Sequence, residues 1–394
     1  MDNIFVAGVS MTAFGKQIDR SIKQLAAAAL ADVLADAGAE ISDIQAVFYG
    51  NCVQGHMEGQ DMVRGEIALR EAGISRVPVI NVENACATGT AAIHGAMDFL
   101  AAKRGRFALV VGAEKMTATP GAQVGEILLS ASYRKDEGDI PAGFAGVFGR
   151  IAEAYFQRHG DQSDALAAIA AKNHRNGVAN PYAQMRKDLG FAFCRAESEK
   201  NPFVAPPLKR TECSLVSDGA AALILTDEET ARGMAQAGGK AVRFRAAAQA
   251  TDLMPIASRD IIRFEGARVA WGRALAESGL SLSDLSFVET HDCFTVAELI
   301  EYEAMGLVPE GQGARAALEG WTAKDGRLPV NPSGGLKSKG HPIGATGVSM
   351  HVLAAMQLTG QAGDMQLPKA DRAGVFNMGG AAVANYLSIL ETAA

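Results

Sequence analysis

The sequence predicts an α/β protein made of two similar halves. Strand-like and helix-like stretches alternate along the chain, a pattern that indicates a parallel sheet covered by helices. Residues 34–52 (LADAGAEISDIQAVFYGNC) align without a gap with residues 275–293 (LAESGLSLSDLSFVETHDC), at the constant offset of 241 that separates Cys52 from Cys293. A chain of 394 residues also has the length expected of two domains rather than one.

The first half is predicted from β-branched runs for strands and from helical spacing for helices. In chain order it contains a strand at Ile4–Val9, a helix at Ser21–Ala37, strands at Ala46–Tyr49 and Val77–Val82, a helix from about Cys86 to Lys103, and a strand at Phe107–Gly112.

Residues 116–210 interrupt this rhythm, because they are rich in turn residues and show a helix only near Arg150–Arg158. Long insertions in α/β proteins are usually functional, often as lids or binding loops. We therefore expect three parts: an N-terminal half formed by residues 1–115 with 211–240, an inserted loop domain at 116–210, and a C-terminal half at 241–394.

The second half is predicted to repeat the first. Its elements are a helix at Val269–Ser278, a strand at Leu285–Thr290, helices at Val296–Met305 and about Ala345–Gln357, and a final strand at Gly374–Asn377. The segment Cys86–Gly89 (CATG) also corresponds to Gly344–Gly347 (GATG), so each half has a small-residue helix start at the same point.

Composition excludes several classes of function. The net charge of −7 and the pI of about 5.6, without a basic tail, give no support for nucleic-acid or acidic-membrane binding. Five cysteines without a CxxC spacing indicate neither a disulfide framework nor a zinc knuckle, so no metal is expected. The chain opens on a strand-like run and lacks a leader-like or membrane-spanning stretch, which predicts a cytoplasmic location.

Cys86 is the first candidate catalytic residue. It follows a strand directly and lies at the predicted first turn of an Ala-rich helix, where unpaired N–H groups and positive potential favour a thiolate. The thiolate is the form that attacks carbonyl and thioester carbons. Taken alone, Cys86 is more often expected to be a small core residue, as most buried cysteines are.

His341 is the candidate base. It lies in Gly340–Gly347 (GHPIGATG), whose glycines do not follow a strand and therefore do not indicate a dinucleotide loop. In the repeat, His341 precedes the helix start that matches Cys86, so the internal symmetry is expected to bring the two side chains together. A Cys–His pair generates a nucleophile.

His291-Asp292-Cys293-Phe294 supplies a second thiol and a second imidazole at a strand end, and Asp292 is a candidate cap for the helix that follows. Carbon–carbon bond chemistry beside a thioester needs a nucleophile, a separate acid or base, and donors to an enolate oxygen. A backbone N–H in the paired glycines of Gly374–Ala382 is a candidate to form an oxyanion hole with the Cys86 N–H.

Together these motifs resemble those of the thiolase superfamily, and the HDCF segment resembles that of the sterol-carrier-protein type of thiolase. The resemblance covers essentially the whole chain. It implies the five-layered αβαβα thiolase fold, a coenzyme A thioester as substrate, CoA as co-substrate, and no permanently bound cofactor. It also implies a homodimer and thiolysis of the β-oxidation type.

Residue by residue, the resemblance implies that Cys86 is the acylated nucleophile and that His341 activates it and helps to bind the enolate oxygen. Cys293 would move the proton at the α-carbon, and His291 would support the enolate site. Gly379 with the Cys86 N–H would form the second oxyanion hole, and the 116–210 loop domain would cover CoA. Asn377 departs from the Cys-x-Gly motif of conventional thiolases, and Cys293 is expected to replace the missing cysteine.

Two other functions stay open at this point. One is a ketoacyl synthase or retro-aldolase on the same fold, although the second thiol, Cys293, argues against a synthase. The other is a CoA-thioester-binding subunit that is active only with a partner, such as the small zinc-ribbon/OB-fold proteins with which some bacterial relatives pair. The acyl group, straight, branched, aromatic or steroid, is left open by the sequence.

Overall fold

The computed structural model describes residues 4–236 and 241–393. The ends of the two predicted halves, at residues 1–3, 237–240 and 394, therefore lie outside the described residues. The strands are β1 Ile4–Met11, β2 Ala46–Gly50, β3 Val79–Val82, β4 Phe107–Glu114, β5 Phe203–Ala205, β6 Leu208–Lys209, β7 Gly219–Asp227, β8 Val242–Thr251, β9 Phe287–Glu289, β10 Arg372–Gly379 and β11 Ala384–Thr392. The helices are α1 Ile22–Ala37, α2 Gln54–Glu58, α3 Arg64–Leu69, α4 Thr88–Ala101, α5 Gly121–Leu128, α6 Arg134–Glu137, α7 Phe144–His159, α8 Ser163–Gly177, α9 Phe191–Arg195, α10 Glu228–Gln236, α11 Glu265–Ser278, α12 Thr295–Ala304, α13 Gly313–Leu318, α14 Gly335–Lys339 and α15 Ile343–Thr359.

The internal repeat is visible in the backbone. Helices α1 and α11 end at residues 241 apart, and each is closed by a glycine in the left-handed region, Gly38 at φ 60° and Gly279 at φ 68°. A left-handed glycine after the last helical turn is a common C-terminal cap. Short 3₁₀ turns at 41–43 and 282–284 follow, and then the strands β2 and β9.

The strands form one nine-stranded sheet in the order β3-β2-β4-β7-β1-β8-β11-β10-β9, and β5 and β6 form a separate ribbon. The second half repeats the first in reverse order, so that β8, β11, β10 and β9 correspond to β1, β7, β4 and β2. The halves meet where β1 pairs antiparallel with β8, at Phe5 with Arg243 and Val6 with Val242.

The sheet is mixed, which corrects the prediction of a parallel sheet. Only β2 with β3, β2 with β4 and β9 with β10 are parallel pairs among the described strands. The predicted last strand, Gly374–Asn377, belongs to β10, and a further strand, β11, was not predicted. Residues 380–383 connect the two strands, and so short a connection requires antiparallel pairing.

The helices build the expected αβαβα layers. Helix α1 packs on one face of β1, β7 and β4, while α4 and α15 pack between the two halves of the sheet. Helix α15 contacts strands of both halves, and α11 covers β8 and β11 on the far side. No helix of the described residues is long and apolar enough to cross a membrane.

Residues 116–210 are more helical than predicted. The helix expected near Arg150–Arg158 extends over Phe144–His159, and Gly121–Leu128 and Ser163–Gly177 are further helices. The Ala-rich face of α8 packs against α12, α13 and α14, so tertiary contact stabilises a helix whose sequence ends in turn residues. The inserted segment therefore supports the elements that carry His291 and His341.

Candidate active site

Cys86 lies between β3 and α4, in a backbone bend. The preceding residue, Ala85, has a left-handed φ of 48°, and helix α4 begins at Thr88 rather than at the predicted Cys86. The Cys86 side chain is 6% exposed. The bend therefore places the thiol just ahead of the first helical turn and within reach of the second half.

The starts of helices α4 and α15 cross at repeat-related glycines. A Cβ on Gly89 would lie 2.7 Å from the backbone nitrogen of Val348, and a Cβ on Gly347 would lie 2.5 Å from that of Thr90. Only residues without a side chain permit this approach. Since Cys86 and His341 lie just ahead of these helices, the crossing brings the two halves of the site together.

Cys86 and His341 lie close together, as expected from the repeat, and His291 joins them. The Cys86 Sγ and one ring nitrogen from each histidine lie within 4.8 Å of one another. The two imidazole centroids are 5.1 Å apart in an edge-to-face arrangement. One sulfur and two imidazoles are also ligand types for Zn²⁺, so the expectation of no metal stays a prediction.

Hydrogen bonds define the tautomer of His341. The Thr346 hydroxyl donates to the backbone oxygen of Pro342 at 3.0 Å and lies 2.6 Å from Nδ1 of His341. Its only proton is thus engaged, so Nδ1 of His341 is the donor to Thr346. Nε2 then carries a lone pair. Burial and the charge of Lys339 lower the pKa of His341 to about 3, which keeps the ring neutral and able to accept a proton.

His291 has the opposite tautomer. The Asn377 amide Nδ2 donates to the backbone oxygen of Cys86 at 3.0 Å and lies 2.9 Å from Nδ1 of His291, while Thr90 donates to Asn377 Oδ1 at 2.7 Å. Nδ1 of His291 is therefore an acceptor, and Nε2 carries the proton. That Nε2 is buried without a partner among the described side chains, so it is a free donor.

The thiol of Cys86 is less acidic than the sequence predicts. Burial raises its pKa to about 12, and backbone N–H groups of Gly380 and of Cys86 itself counteract this only in part. Glu83 and Glu114 add to the rise. The thiolate expected from the helix start is therefore not the resting state, because loss of solvation outweighs the local dipoles. A base is needed.

Gly380 is a site residue that the sequence analysis did not select. Its backbone N–H counteracts the rise in the pKa of the Cys86 thiol, whereas the predicted oxyanion residue Gly379 is the last residue of β10 and lies beside it. A Cβ on Gly379 would lie 2.5 Å from the backbone oxygen of Asn84, so a side chain there would displace the Cys86 segment. The sequence shows the paired glycines, but it does not show which of their two N–H groups faces Cys86.

Cys293 is also buried, at 3% exposure. Burial raises its pKa well above the usual value, and negative charge at Cys86 contributes, as expected for two thiols in one buried region. The backbone oxygen of Cys293 accepts from Ser214 N–H at 2.8 Å, and the neighbouring Phe294 ring stacks on Phe148. The HDCF segment is thus fixed by the inserted segment and the loop before β7.

Asp292 does not cap the helix that follows it, contrary to the prediction. Its carboxylate accepts from the backbone N–H of Leu336 at 2.6 Å and of Lys337 at 3.2 Å, and from the Asn173 amide at 2.7 Å. These contacts connect the HDCF segment to α14 and α8. Asp292 therefore orients the chain just before His341, a long-range contact that local sequence does not reveal.

A cavity of about 750 Å³ opens at Cys86. The inserted segment forms one wall with Ile127, Leu128, Tyr133 and Phe144, among other residues, and the opposite wall includes Cys52, Val53 and Arg64. Gly379 and Gly380 line the cavity beside Cys86. The cavity is of a size that suits a small-molecule ligand.

The fold and this arrangement define a thiolase-type enzyme, and comparison with known proteins agrees. The family model "Thiolase, N-terminal domain" matches residues 4–229, and "Thiolase C-terminal domain-like" matches residues 248–392. The chain therefore belongs to the thiolase family.

Comparison with individual proteins shows which members of the family the chain resembles. The chain is 33% identical over 385 residues to an acetyl-CoA acetyltransferase of Methanothermobacter thermautotrophicus, with 96% of this chain and 97% of that protein covered. It is 33% identical over 390 residues to sterol carrier protein 2 of Homo sapiens, covering 95% and 70%. These relatives support an acyltransferase enzyme of thiolase type.

Solved structures share the fold. The Ltp2-ChsH2(DUF35) aldolase superposes with a TM-score of 0.84 at 21% identity, covering 99% of this chain and 98% of that chain. Human mitochondrial 3-ketoacyl-CoA thiolase superposes with a TM-score of 0.75 at 16% identity, covering 100% and 99%. At these identities the similarity establishes the fold alone.

Proposed function

We propose that the protein cleaves, or in reverse forms, a 3-oxoacyl-CoA by Claisen chemistry through an acyl-cysteine intermediate. The observation that carries the proposal is the convergence of the Cys86 sulfur with His341 and His291 within 4.8 Å, at the end of a cavity. Homology to acetyl-CoA acetyltransferases supports the same class of reaction.

In the cleavage direction, Nε2 of His341 takes the Cys86 proton and the thiolate attacks the C3 carbonyl carbon. The N–H groups of Cys86 and the Gly379–Gly380 segment stabilise the oxyanion that forms there. The C2–C3 bond then breaks, leaving the acyl group on Cys86 and an enolate of the departing acyl-CoA. The free donor of His291, with His341, stabilises the enolate oxygen.

Cys293 completes the first half-reaction by giving its proton to C2 of the enolate, which releases acetyl-CoA or a substituted analogue. The Cys293 thiolate then takes the proton of the CoA thiol, and the CoA thiolate attacks the acyl-Cys86 carbonyl. The shortened acyl-CoA leaves, and Cys86 recovers its proton from His341. The raised pKa of Cys293 suits this role, because a protonated thiol is available as the acid.

CoA is proposed to bind as a co-substrate against the 116–210 segment, which forms the wall of the cavity beside Cys86. We retain the homodimer, the cytoplasmic location and the absence of a permanently bound cofactor as predictions.

The test is peptide-resolved mass spectrometry after mixing the protein with acetyl-CoA and a panel of 3-oxoacyl-CoAs. We expect an acyl mass shift on the Cys86 peptide that disappears in Cys86→Ala. Cys52→Ala is the matched control, because Cys52 lines the same cavity and should not be required. Full turnover by Cys86→Ala would refute the proposal.

A retro-aldolase is the second candidate, favoured by the fold shared with the Ltp2-ChsH2(DUF35) aldolase. That structure's name also includes a DUF35 protein, which matches the alternative of a partner-dependent subunit. Retro-aldol cleavage needs no acyl-cysteine. Cleavage that needs an added small partner and survives Cys86→Ala would therefore select this candidate, whereas turnover by the purified chain alone would exclude a required partner.

A further inference from the structure

Glu114 is a buried carboxylate at the end of β4 that joins three backbone segments near Cys86. Its Oε1 accepts from the Asn51 amide at 2.8 Å and from Val53 N–H at 3.1 Å. Its Oε2 accepts from the N–H groups of Cys52 and Gly344, both at 2.9 Å. The side chain has no solvent exposure, so these protein donors replace water.

One of these contacts caps helix α15. The residue before the helix, Pro342, has no side chain that can accept a hydrogen bond, and Gly344 is the second helical residue. Glu114 therefore supplies an acceptor at the positive end of a helix from the other half of the chain. Burial raises the pKa of Glu114 to about 7, and the N–H groups of Cys52, Val53 and Gly344 counteract this rise. His341 lies three residues before Gly344, so the contact fixes the backbone that carries the base.

The other contacts hold the cavity wall. Arg64 donates from one guanidinium nitrogen to Asn51 Oδ1 at 3.1 Å and to the backbone oxygen of Cys52 at 3.2 Å. The Asn51 amide in turn donates a hydrogen bond to Glu114. Cys52, Val53 and Arg64 all line the cavity. A continuous set of hydrogen bonds thus runs from the cavity wall through Glu114 to the start of α15.

From this geometry we propose that Glu114 is a positioning residue: its carboxylate sets the position of His341 relative to Cys86 and to the cavity wall. The inference rests on the proposed chemistry at Cys86. A neutral amide cannot replace the carboxylate, because four donors converge on its two oxygens. In Glu114→Gln, one terminal atom becomes an NH₂ group that faces two N–H donors.

The test compares the rate at which iodoacetamide alkylates Cys86, assigned by peptide mass spectrometry, in wild type and Glu114→Gln. We expect a fall of about 10–100-fold, since an error of about 1 Å in a reacting pair costs about 100-fold. With a 3-oxoacyl-CoA, kcat should fall by a similar factor while KM changes little. Glu319→Gln, which alters an exposed carboxylate paired with Arg315, is the control.

A folded Glu114→Gln protein that is alkylated at the wild-type rate would overturn the proposal, because a purely structural role affects melting temperature rather than the reactivity of the folded site. If that variant does not fold, Asn51→Ala, which removes one donor and keeps the carboxylate, should slow alkylation in the same direction. An unchanged rate there also overturns the proposal.

Alkylation requires no acyl-CoA, so the two proposals fail separately. A wild-type protein that takes no acyl group but depends on Glu114 for alkylation would remove the proposed reaction and keep the positioning role. Normal acylation in both wild type and Glu114→Gln would keep the proposed reaction and remove the positioning role of Glu114.

Discussion

Nδ2 of Asn377 lies 2.9 Å from Nδ1 of His291, and this contact leaves the opposite ring nitrogen of His291 as a proton donor. His341 is held in the complementary state by Thr346, with its Nε2 as an acceptor. The two imidazoles therefore differ in function because of their hydrogen-bond partners. Asn377 thus orders the site, since the same amide also binds the backbone of Cys86.

Thr346→Val should reduce activity without disturbing the fold. The substitution preserves side-chain shape but removes the oxygen that accepts from His341 Nδ1, so the tautomer with a basic Nε2 is no longer favoured. We expect kcat to fall about 10-fold, less than the roughly 100–10,000-fold of a complete general-base contribution because His341 itself remains, with KM nearly unchanged. Steady-state kinetics measures this. Thr346→Ser keeps the hydroxyl and should recover most of the rate; equal losses in both variants would contradict the tautomer argument.

Cys293→Ala should separate acylation from proton transfer. Because Cys86 and His341 remain, an acyl-CoA should still label Cys86. Exchange of the α-hydrogens of acetyl-CoA with D₂O, followed by NMR, should drop by about 100-fold or more, since the acid and base at C2 is gone. Cys194→Ala, another buried thiol, is the control. Exchange at the wild-type rate would assign the proton step to another group.

Gly89→Ala should destabilise the protein strongly. Its Cβ would lie 2.7 Å from the Val348 nitrogen and 3.0 Å from that of Gly347, so the α4–α15 crossing must separate. We expect a loss of about 2–4 kcal/mol in the free energy of unfolding, at the upper range for overpacking. Gly272→Ala in α11 meets no atom within 4 Å and should instead stabilise by about 0.5–1 kcal/mol. Chemical denaturation of both variants checks the contrast.

His174 should contribute to acid sensitivity. Burial and the charge of Lys337 lower its pKa to about 3, so the folded state favours the neutral ring. The stabilisation is present above the unfolded pKa of about 6.5 and is lost as the pH falls towards the folded value. Relative to His174→Phe, wild type should lose about 3 kcal/mol of unfolding free energy between pH 7 and pH 4. Urea titrations at both pH values test this, and His56→Phe, at an exposed position, is the control. If the difference in unfolding free energy between wild type and His174→Phe is the same at both pH values, the pKa of His174 is not lowered by folding.

The sequence predicts the repeat and the meeting of Cys86 with His341 because both follow from local pattern and symmetry. It does not predict β11 or helix α8, whose stability comes from pairing and packing with distant elements. The resting state of Cys86 is likewise beyond local reasoning. A helix start favours the thiolate, but burial by both halves decides the pKa. The Asp292 and Glu114 contacts were missed for the same reason, since their partners are more than 40 residues away.

The pairing of β1 with β8 has a consequence for the ancestry of the chain. In a symmetric pair of identical units, every contact occurs twice. Here the position equivalent to Cys86 is Gly344, and the position equivalent to His341 is Glu83, so the mirror site lacks this cysteine and this imidazole. The two halves of the joined chain therefore differ: the first supplies Cys86, and the second supplies Cys293 and both imidazoles. Neither half can now substitute for the other.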